Sequence, residues 1–222
     1  MNGRSPESRS GRSRRPRPER VSREERKEVT RRAIITAALK LLDEGSFSAL
    51  SLREVTRAAN IVPAAFYRHF DSMDALGLVL IDESFAALRE MLRDARTGGL
   101  DPNRVIESSV DVLVDSVTTR REYWRFINRE RFSGVTVLRY AIRTEIRLIT
   151  SELAVDLARF PGLSAWSTED LNVLAGLFVN SMIVIAETIE DTDAAALPEI
   201  KRVAAKQLRM IAVAAAGWRS KP

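Results

Sequence analysis

Three side chains that can bind phosphate groups stand side by side at Tyr67, Arg68 and His69. A hydroxyl, a guanidinium and an imidazole can each contact the backbone oxygens of a nucleic acid. Two small residues, Ala64 and Ala65, come just before them, so a helix here could bring its backbone close to base edges. This segment therefore predicts DNA binding, with small residues at the bases and polar residues at the phosphates.

The residues around this segment predict a helix-turn-helix. Ser51 precedes an apolar-periodic run and Glu54 follows three positions later, a capping box that begins a helix on which Arg53 faces outward. Asn60 tolerates the left-handed conformation that the turn requires. Pro63 suits the first position of a second helix, where its missing N–H costs nothing. The predicted DNA-binding residues of this unit are Ser51, Arg53, Val62, Pro63, Ala64, Ala65, Tyr67, Arg68 and His69.

A basic arm precedes this unit. Residues 1–32 hold eleven Arg and one Lys against five Glu, a net charge of +7, whereas the whole chain carries +5. Residues 1–22 are rich in Arg, Ser, Pro and Gly, so we expect this arm to be disordered in isolation. Arg14, Arg15 and Arg17 are predicted to contact phosphates or the minor groove, and a tail that only improves solubility is the alternative. No apolar stretch follows Arg14 and Arg15, which argues against a twin-arginine export signal.

Residues 59–70 read ANIVPAAFYRHF and follow the pattern A-(G/N)-(I/V)-x-x-x-x-(F/L)-Y-x-H-F. This pattern, preceded by a capped helix and a longer amphipathic one, resembles the N-terminal domain of the tetracycline-repressor family of bacterial regulators. The resemblance implies an all-helical dimeric regulator that binds a pseudopalindromic operator.

Further segments are similar to one branch of that family, the FabR and DesT type, which represses unsaturated fatty acid synthesis. They are SLREV at 51–55, FYRHF at 66–70, DALGL at 74–78, DES at 82–84, RER at 129–131 and QLRMI at 207–211. The resemblance implies a repressor of fatty acid or lipid genes with long-chain acyl-coenzyme A as its effector. Ala64, Ala65 and Asn60 depart from the branch, so the operator sequence cannot be transferred.

Composition excludes several other classes. The chain has 222 residues, 45% of them hydrophobic and 29% charged, as in globular proteins. It has no Cys and one His, His69, which lies inside the predicted DNA-binding helix, so a catalytic triad or a His-based metal site is disfavoured. No glycine-rich phosphate loop occurs. We expect no enzyme, no resident cofactor, no metal, no membrane span and a cytoplasmic location.

Capping and breaker residues divide the rest of the chain into helices, and no segment shows the alternation of a strand. We expect a first helix at 23–44, the helix-turn-helix, a long helix at 73–96 and a helix at 102–119. A short helix ends at 131, further helices end near 160 and 190, and the last runs from near 198 to 218. The fold class is therefore all-α with about nine helices, a DNA-binding domain at 23–71 and an effector-binding and dimerisation domain at 72–222.

The last two helices are apolar on more than one face. Helices of this kind need burial on more than one side. A dimer would provide that burial, because the last two helices of each subunit would together form a four-helix interface. The sequence therefore predicts a homodimer, although a single-chain core could account for part of this pattern.

The middle helices carry many apolar and aromatic residues that could surround a ligand. At helical spacing such residues more often form an ordinary core, and the family resemblance is what favours a cavity. Arg120, Arg121, Arg125 and Arg129 suit the phosphates of coenzyme A or, alternatively, a solvated charged face. An architectural DNA-binding protein without an effector is the competing function. The predicted ligand-binding residues are Phe85, Leu88, Leu113, Val117, Trp124, Phe126, Ile127, Arg129, Phe132 and Phe178.

Overall fold

The computed structural model describes residues 22–43, 45–96 and 101–220, with the side chains of 87 and 90–96 left out. These residues form nine α-helices and no strand, which confirms the predicted all-α class. The helices are α1 (Arg23–Leu42), α2 (Leu52–Ala58), α3 (Pro63–Phe66), α4 (Met73–Arg96), α5 (Pro102–Thr119), α6 (Arg121–Glu130), α7 (Thr136–Leu157), α8 (Thr168–Glu190) and α9 (Leu197–Gly217). Short 3-10 turns lie at Phe47–Ala49 and Ala194–Ala196. The predicted basic arm, with Arg14, Arg15 and Arg17, lies outside the described residues.

Helix starts follow their capping residues. Ser22 accepts a hydrogen bond from the Glu25 amide at the start of α1, and Ser72 accepts one from Ala75 at the start of α4. Asp101 and Ser167 cap α5 and α8 in the same way. Each side-chain oxygen satisfies a backbone donor that a helix start leaves without a partner. The helix starts predicted from the sequence at 23, 73 and 102 are confirmed.

Three predicted helix ends are wrong. Helix α1 ends at Leu42, and α7 ends at Leu157, where the chain enters tight turns instead of continuing to Phe160. The second helix of the helix-turn-helix ends at Phe66, although the sequence predicted a helix through His69. The amides of Arg68 and His69 donate to carbonyls three residues back, at 3.3 and 2.8 Å, a tighter turn than an α-helix.

The largest hydrophobic core runs continuously through both predicted domains. It joins Ile34 and Phe66 of the first three helices to Leu76, Phe126 and Leu138 of helices α4, α6 and α7. Smaller cores lie between α5, α8 and α9 and between α7, α8 and the end of α9. The helix-turn-helix unit therefore packs directly against α4 and α6 and is not joined to them by a flexible linker alone.

Helix α8 bears on the expectation that the chain has no membrane span. Among the helices of the described residues, it alone is long and apolar enough to cross a membrane by length and composition, with a mean hydropathy of 1.6 in its most apolar window. Core helices pass the same test, and α8 packs against α5, α7 and α9. We therefore assign α8 to the helical bundle.

Candidate nucleic-acid interface and effector cavity

The capping box at the start of α2 is formed as predicted. The Glu54 amide donates to Ser51 Oγ at 3.3 Å, and the Ser51 amide donates to Glu54 Oε2 at 2.9 Å. Hydrogen bonds from Ser51 hold the pKa of Glu54 below its ordinary value. Arg53 and Arg57 point to solvent on this helix. The cap fixes where α2 begins and leaves both arginines free to face a duplex.

The turn between α2 and α3 contains the left-handed residue that the sequence predicted. Asn60 has φ 54°, and among the described residues it alone, glycine aside, has a positive φ. The Ile61 amide donates to the Thr56 carbonyl at 3.0 Å and closes the turn. Pro63 then occupies the first turn of α3, as expected. The sharp turn separates α3 from α2 and leaves one face of α3 open.

That open face is made of the predicted DNA-binding residues. Val62 is 66% exposed and Tyr67 is 56% exposed, while Phe66 and Phe70 are buried beneath them. The remaining members differ in exposure: Pro63, Ala64 and Arg68 are exposed and Ala65 is half-buried. The face thus presents small and apolar groups at the start of α3 and a hydroxyl and a guanidinium after it. On a DNA duplex, the start of this face would contact base edges and its end would contact phosphates.

His69 lies elsewhere than predicted. The sequence analysis placed it on the open face, but its side chain is half-buried and Nδ1 is buried with no hydrogen-bond partner among the described residues. Burial lowers its pKa, and the positive charges of Lys27, Arg31 and Arg68 lower it further. The tight turn after Phe66 rotates His69 toward α1. We therefore assign His69 to the edge of the domain core.

A second feature is a cavity in the C-terminal helices with a volume of about 670 Å³. This volume is in the range of small-molecule sites, roughly 300–1,000 Å³, and most of the lining is apolar. Six of the ten predicted ligand-binding residues line it: Phe85, Leu88, Leu113, Trp124, Ile127 and Phe178. Helices α4, α5, α6 and α8 bring these six together.

The other four predicted residues do not line the cavity. Val117 is fully buried in the core between α5, α8 and α9. Phe126 packs against Phe47, with 6.2 Å between ring centroids, and Phe132 is 75% exposed beneath the guanidinium of Arg131. Arg129 points away from the cavity toward the end of α1. Phe126 and Arg129 face away from the cavity because residues adjacent in sequence on a helix point in different directions.

Helix α6 and the residue that follows it supply two polar lining residues that the sequence analysis missed, Asn128 and Arg131. They follow Trp124 at helical spacing, four and seven positions later, and this spacing could have found them. Arg131 forms an ion pair with Glu187, and Asn128 Nδ2 donates to Glu190 at 2.8 Å. Burial raises the pKa of Glu190. These contacts join α6 to the C-terminal half of α8.

The opposite face of α6 holds the end of α1. Arg129 Nη1 donates to the Leu42 carbonyl at 2.7 Å and also to the Gly45 carbonyl, while Arg125 pairs with Asp43. These cations lie where the α1 carbonyls lack helical partners, a favourable position for positive charge. Arg125 and Arg129 therefore bind the end of α1 in the predicted DNA-binding domain.

A buried carboxylate adds to this contact. Glu130 is fully buried, and its Oε1 accepts a hydrogen bond from the Phe47 amide at 2.9 Å. Nearby, Glu83 of α4 pairs with Arg31 of α1 at 2.9 Å, and the Tyr123 hydroxyl donates to it at 3.3 Å. Burial and the charge of Glu83 raise the pKa of Tyr123 to about 12. Helices α1, α4 and α6 thus contact one another through both polar and apolar side chains.

Known proteins share both the domain and the fold. Residues 34–78 match the model of the bacterial regulatory proteins of the tetR family. The chain is similar in structure to the fatty acid degradation regulator FadR from Bacillus halodurans, with a TM-score of 0.66, 14% identity and coverage of 81% of this chain and 96% of that one. It is also similar to a transcriptional regulator from Rhodococcus, with a TM-score of 0.65, 20% identity and coverage of 85% and 96%.

A third similar structure is a proposed fatty acid metabolism regulator from Clostridium perfringens, with a TM-score of 0.65, 17% identity and coverage of 80% and 97%. At these identities the likeness shows the fold, and the family model identifies the DNA-binding domain. Residues 34–78 thus match the DNA-binding domain of the tetR family, and the chain has the all-helical TetR-like fold of these similar structures.

Proposed function

We propose that this regulator binds a pseudopalindromic operator as a homodimer in the cytoplasm and senses a long-chain acyl-coenzyme A, acting as a repressor of fatty acid or lipid genes. The single observation that carries the effector part is the apolar cavity, because its lining helix α6 also holds the end of α1.

The exposed face from Val62 to Arg68 supports the DNA-binding part. Its side chains project from a short helix whose other side is fixed by Phe66 and Phe70 in the core. Ser51 and Arg53 stand at the start of α2, where side chains reach the phosphate backbone in related docking geometries. Arg14, Arg15 and Arg17 of the arm are proposed to add nonspecific phosphate contacts.

An unpartnered apolar surface supports the homodimer. Three residues on one side of α8 and three on α9 are exposed by 38–73%: Val173, Leu177, Val184, Val203, Met210 and Val213. On α8 the spacing of four and seven residues places them along one stripe. A second copy of the chain could bury both stripes in a four-helix interface.

The chemistry of the cavity supports an acyl effector. An apolar cavity binds an aliphatic chain favourably, whereas the phosphates of coenzyme A would lose hydration there and belong outside it. Two of the similar structures are connected by name with fatty acid degradation or metabolism. The acyl chain is therefore proposed to occupy the cavity and the coenzyme to lie at its exterior.

Helix α6 offers a physical route from the cavity to the DNA-binding domain. A ligand changes DNA affinity only if it binds the two conformations of the protein unequally. A ligand against Trp124 and Ile127 would shift α6, and Arg129 would transmit that shift to the end of α1. Helix α4, which contacts α1 through the Glu83–Arg31 pair and also contacts α5, α6 and α7, would move with it.

The first test is the geometry of the operator. Two copies of α3 must enter major grooves about one helical turn apart, roughly 34–36 Å or a multiple of it. Operator duplexes can be selected from random sequence, after which half a turn is inserted between the half-sites. Specific binding should be lost with the half-turn insertion and return with a full turn. Unchanged affinity after the half-turn insertion contradicts the symmetric dimer.

The second test is calorimetry with palmitoyl- and stearoyl-coenzyme A beside coenzyme A alone. The acyl thioesters should bind and coenzyme A alone should bind far more weakly, because the acyl chain supplies the apolar contact area. If no acyl form binds while DNA binding persists, the protein is an architectural DNA-binding protein without this effector.

A further inference from the structure

The charged residues of the cavity lie at its two ends. Arg131 directly follows α6, whereas Asp156 lies at the end of α7 and Arg159 two residues after that end; the charged groups of Asp156 and Arg159 lie 3.8 Å apart. Arg131 contacts α8 near Glu187, and the end of α7 packs against α8 near Leu174. Thirteen residues of α8 separate these points, or ~20 Å along the helix. The two ends are thus about as far apart as the ends of an extended long-chain acyl group.

The two charged ends differ in their environment. Arg159 is exposed, as are Pro161, Gly162 and Trp218 beside it. The Arg131 side chain is only 16% exposed, and Ile127, four positions earlier, is one of the apolar residues that line the cavity with it. A charge inside an apolar cavity is costly unless its hydrogen bonds are satisfied.

Arg131 has an unused donor. One terminal nitrogen pairs with Glu187, but Nε is buried and has no hydrogen-bond partner among the described residues. The side chain of Glu187 is 36% exposed, so it can rotate toward solvent and free the terminal nitrogen of Arg131 for a ligand. A guanidinium that offers Nε and a terminal nitrogen on one edge fits two oxygens of a carboxylate or one acyl oxygen.

We propose that Arg131, assisted by Asn128, binds the acyl oxygen of the effector, and that the aliphatic chain runs from there along α8 toward Trp166. This inference rests on the proposed acyl effector and assigns its orientation. The recognised chemistry is a carbonyl or carboxylate oxygen at the end of a long aliphatic chain, whether the source is a free fatty acid or a thioester. The α7 end of the cavity receives the methyl end of the chain, and the coenzyme of a thioester would leave the cavity past Glu187, which is 36% exposed.

The test compares palmitic acid with 1-hexadecanol, which has the same chain and no acyl oxygen. Calorimetry on the full-length protein should give a preference for the acid of roughly 10–150-fold, as expected for hydrogen bonds to a charged group. Arg131→Gln should abolish this preference while retaining alcohol binding. Arg131→Lys keeps the charge beside Glu187 and removes Nε, so it should retain only part of the preference. Thermal unfolding of each variant checks that the fold is kept.

Arg159→Gln is the matched control, because Arg159 is the other arginine of the lining. The preference should persist in it. A preference lost in Arg159→Gln and kept in Arg131→Gln would reverse the orientation and overturn the proposal. Equal weakening of acid and alcohol by Arg131→Gln would reduce Arg131 to a structural role and also overturn it.

Palmitoyl-coenzyme A distinguishes the two sources of the acyl oxygen. If Arg131→Gln weakens it together with palmitic acid, the carbonyl oxygen is the recognised group; if only the acid is weakened, the free carboxylate is. Binding without any preference for an acyl oxygen refutes the orientation alone. Absence of binding by every acyl compound and by the alcohol refutes the acyl effector itself.

Discussion

Arg129 donates a hydrogen bond of 2.7 Å from its guanidinium to the backbone carbonyl of Leu42, the last residue of α1. The same side chain reaches the carbonyls of Asp43 and Gly45. Helix α6 therefore completes the C-terminal end of a helix in the DNA-binding domain, while its opposite face lines the cavity. This arrangement places a single helix between the proposed effector and the DNA-binding surface.

Arg129→Ala should weaken the coupling between effector and DNA. The substitution removes the contact with α1 and touches neither the cavity lining nor the exposed face of α3. Operator affinity and acyl-coenzyme A affinity measured separately should stay close to those of the parent protein. The ratio of operator affinities with and without effector should approach one. Arg143→Ala, at an exposed position on α7, is the control. Full coupling in Arg129→Ala would exclude this route.

Arg68→Ala should weaken DNA binding through the phosphate backbone. Arg68 is exposed after the small residues of α3, where a fixed charge meets the backbone and not a base. Affinity should fall by a similar factor for all duplexes, and the slope of log affinity against log salt should become shallower by about one unit per lost contact on each half-site. A changed base preference with an unchanged slope would instead identify Arg68 as a base-contacting residue.

A charged pair on the α8 and α9 stripes should dissociate the dimer. Leu177→Asp combined with Met210→Asp puts carboxylates where a second copy would bury them, and an unpaired buried charge is strongly unfavourable. Sedimentation should show a monomer that has lost operator binding. The matched control is Leu148→Asp combined with Val155→Asp, two exposed apolar residues of α7. Dissociation by the α7 pair alone would move the interface to α7.

Gly77→Ala should destabilise the junction of α4 with its neighbours. A Cβ at this position would lie 2.7 Å from Leu138 Cδ2 and 2.8 Å from Phe47 Cζ, so the core would have to shift. Such overpacking costs typically about 1–3 kcal/mol, against roughly 1 kcal/mol that alanine gains in a helix. The unfolding midpoint should therefore fall. Gly176→Ala on α8 meets no atom within 4 Å and should not lower it. A raised midpoint for Gly77→Ala would contradict this packing.

Local signals predicted the helix-turn-helix well. The Ser51 cap, the left-handed Asn60 and the position of Pro63 are each determined by interactions within a few residues, so the sequence contains what is needed. The exposure of His69 was predicted wrongly because the chain makes a tight turn after Phe66, which helical spacing alone does not reveal.

Prediction of the cavity residues has the same limit, over longer distances along the sequence. Phe85, Trp124 and Phe178 could be predicted as buried aromatic residues of the middle helices, and six of the ten predicted residues do line the cavity. Arg129 was chosen over Arg131 because the direction of each side chain depends on which neighbours α6 meets. Its contacts with α1 and α8 lie 56–87 positions away in sequence, and only the folded chain brings them together.

The most direct test measures operator affinity with and without saturating palmitoyl-coenzyme A, on a duplex selected from random sequence. If the cavity and the DNA-binding face are coupled through α6, the dissociation constant should change by roughly 5–150-fold, which corresponds to about 1–3 kcal/mol. Coenzyme A alone should produce no change. An unchanged dissociation constant under conditions in which calorimetry shows the acyl compound bound would contradict the account.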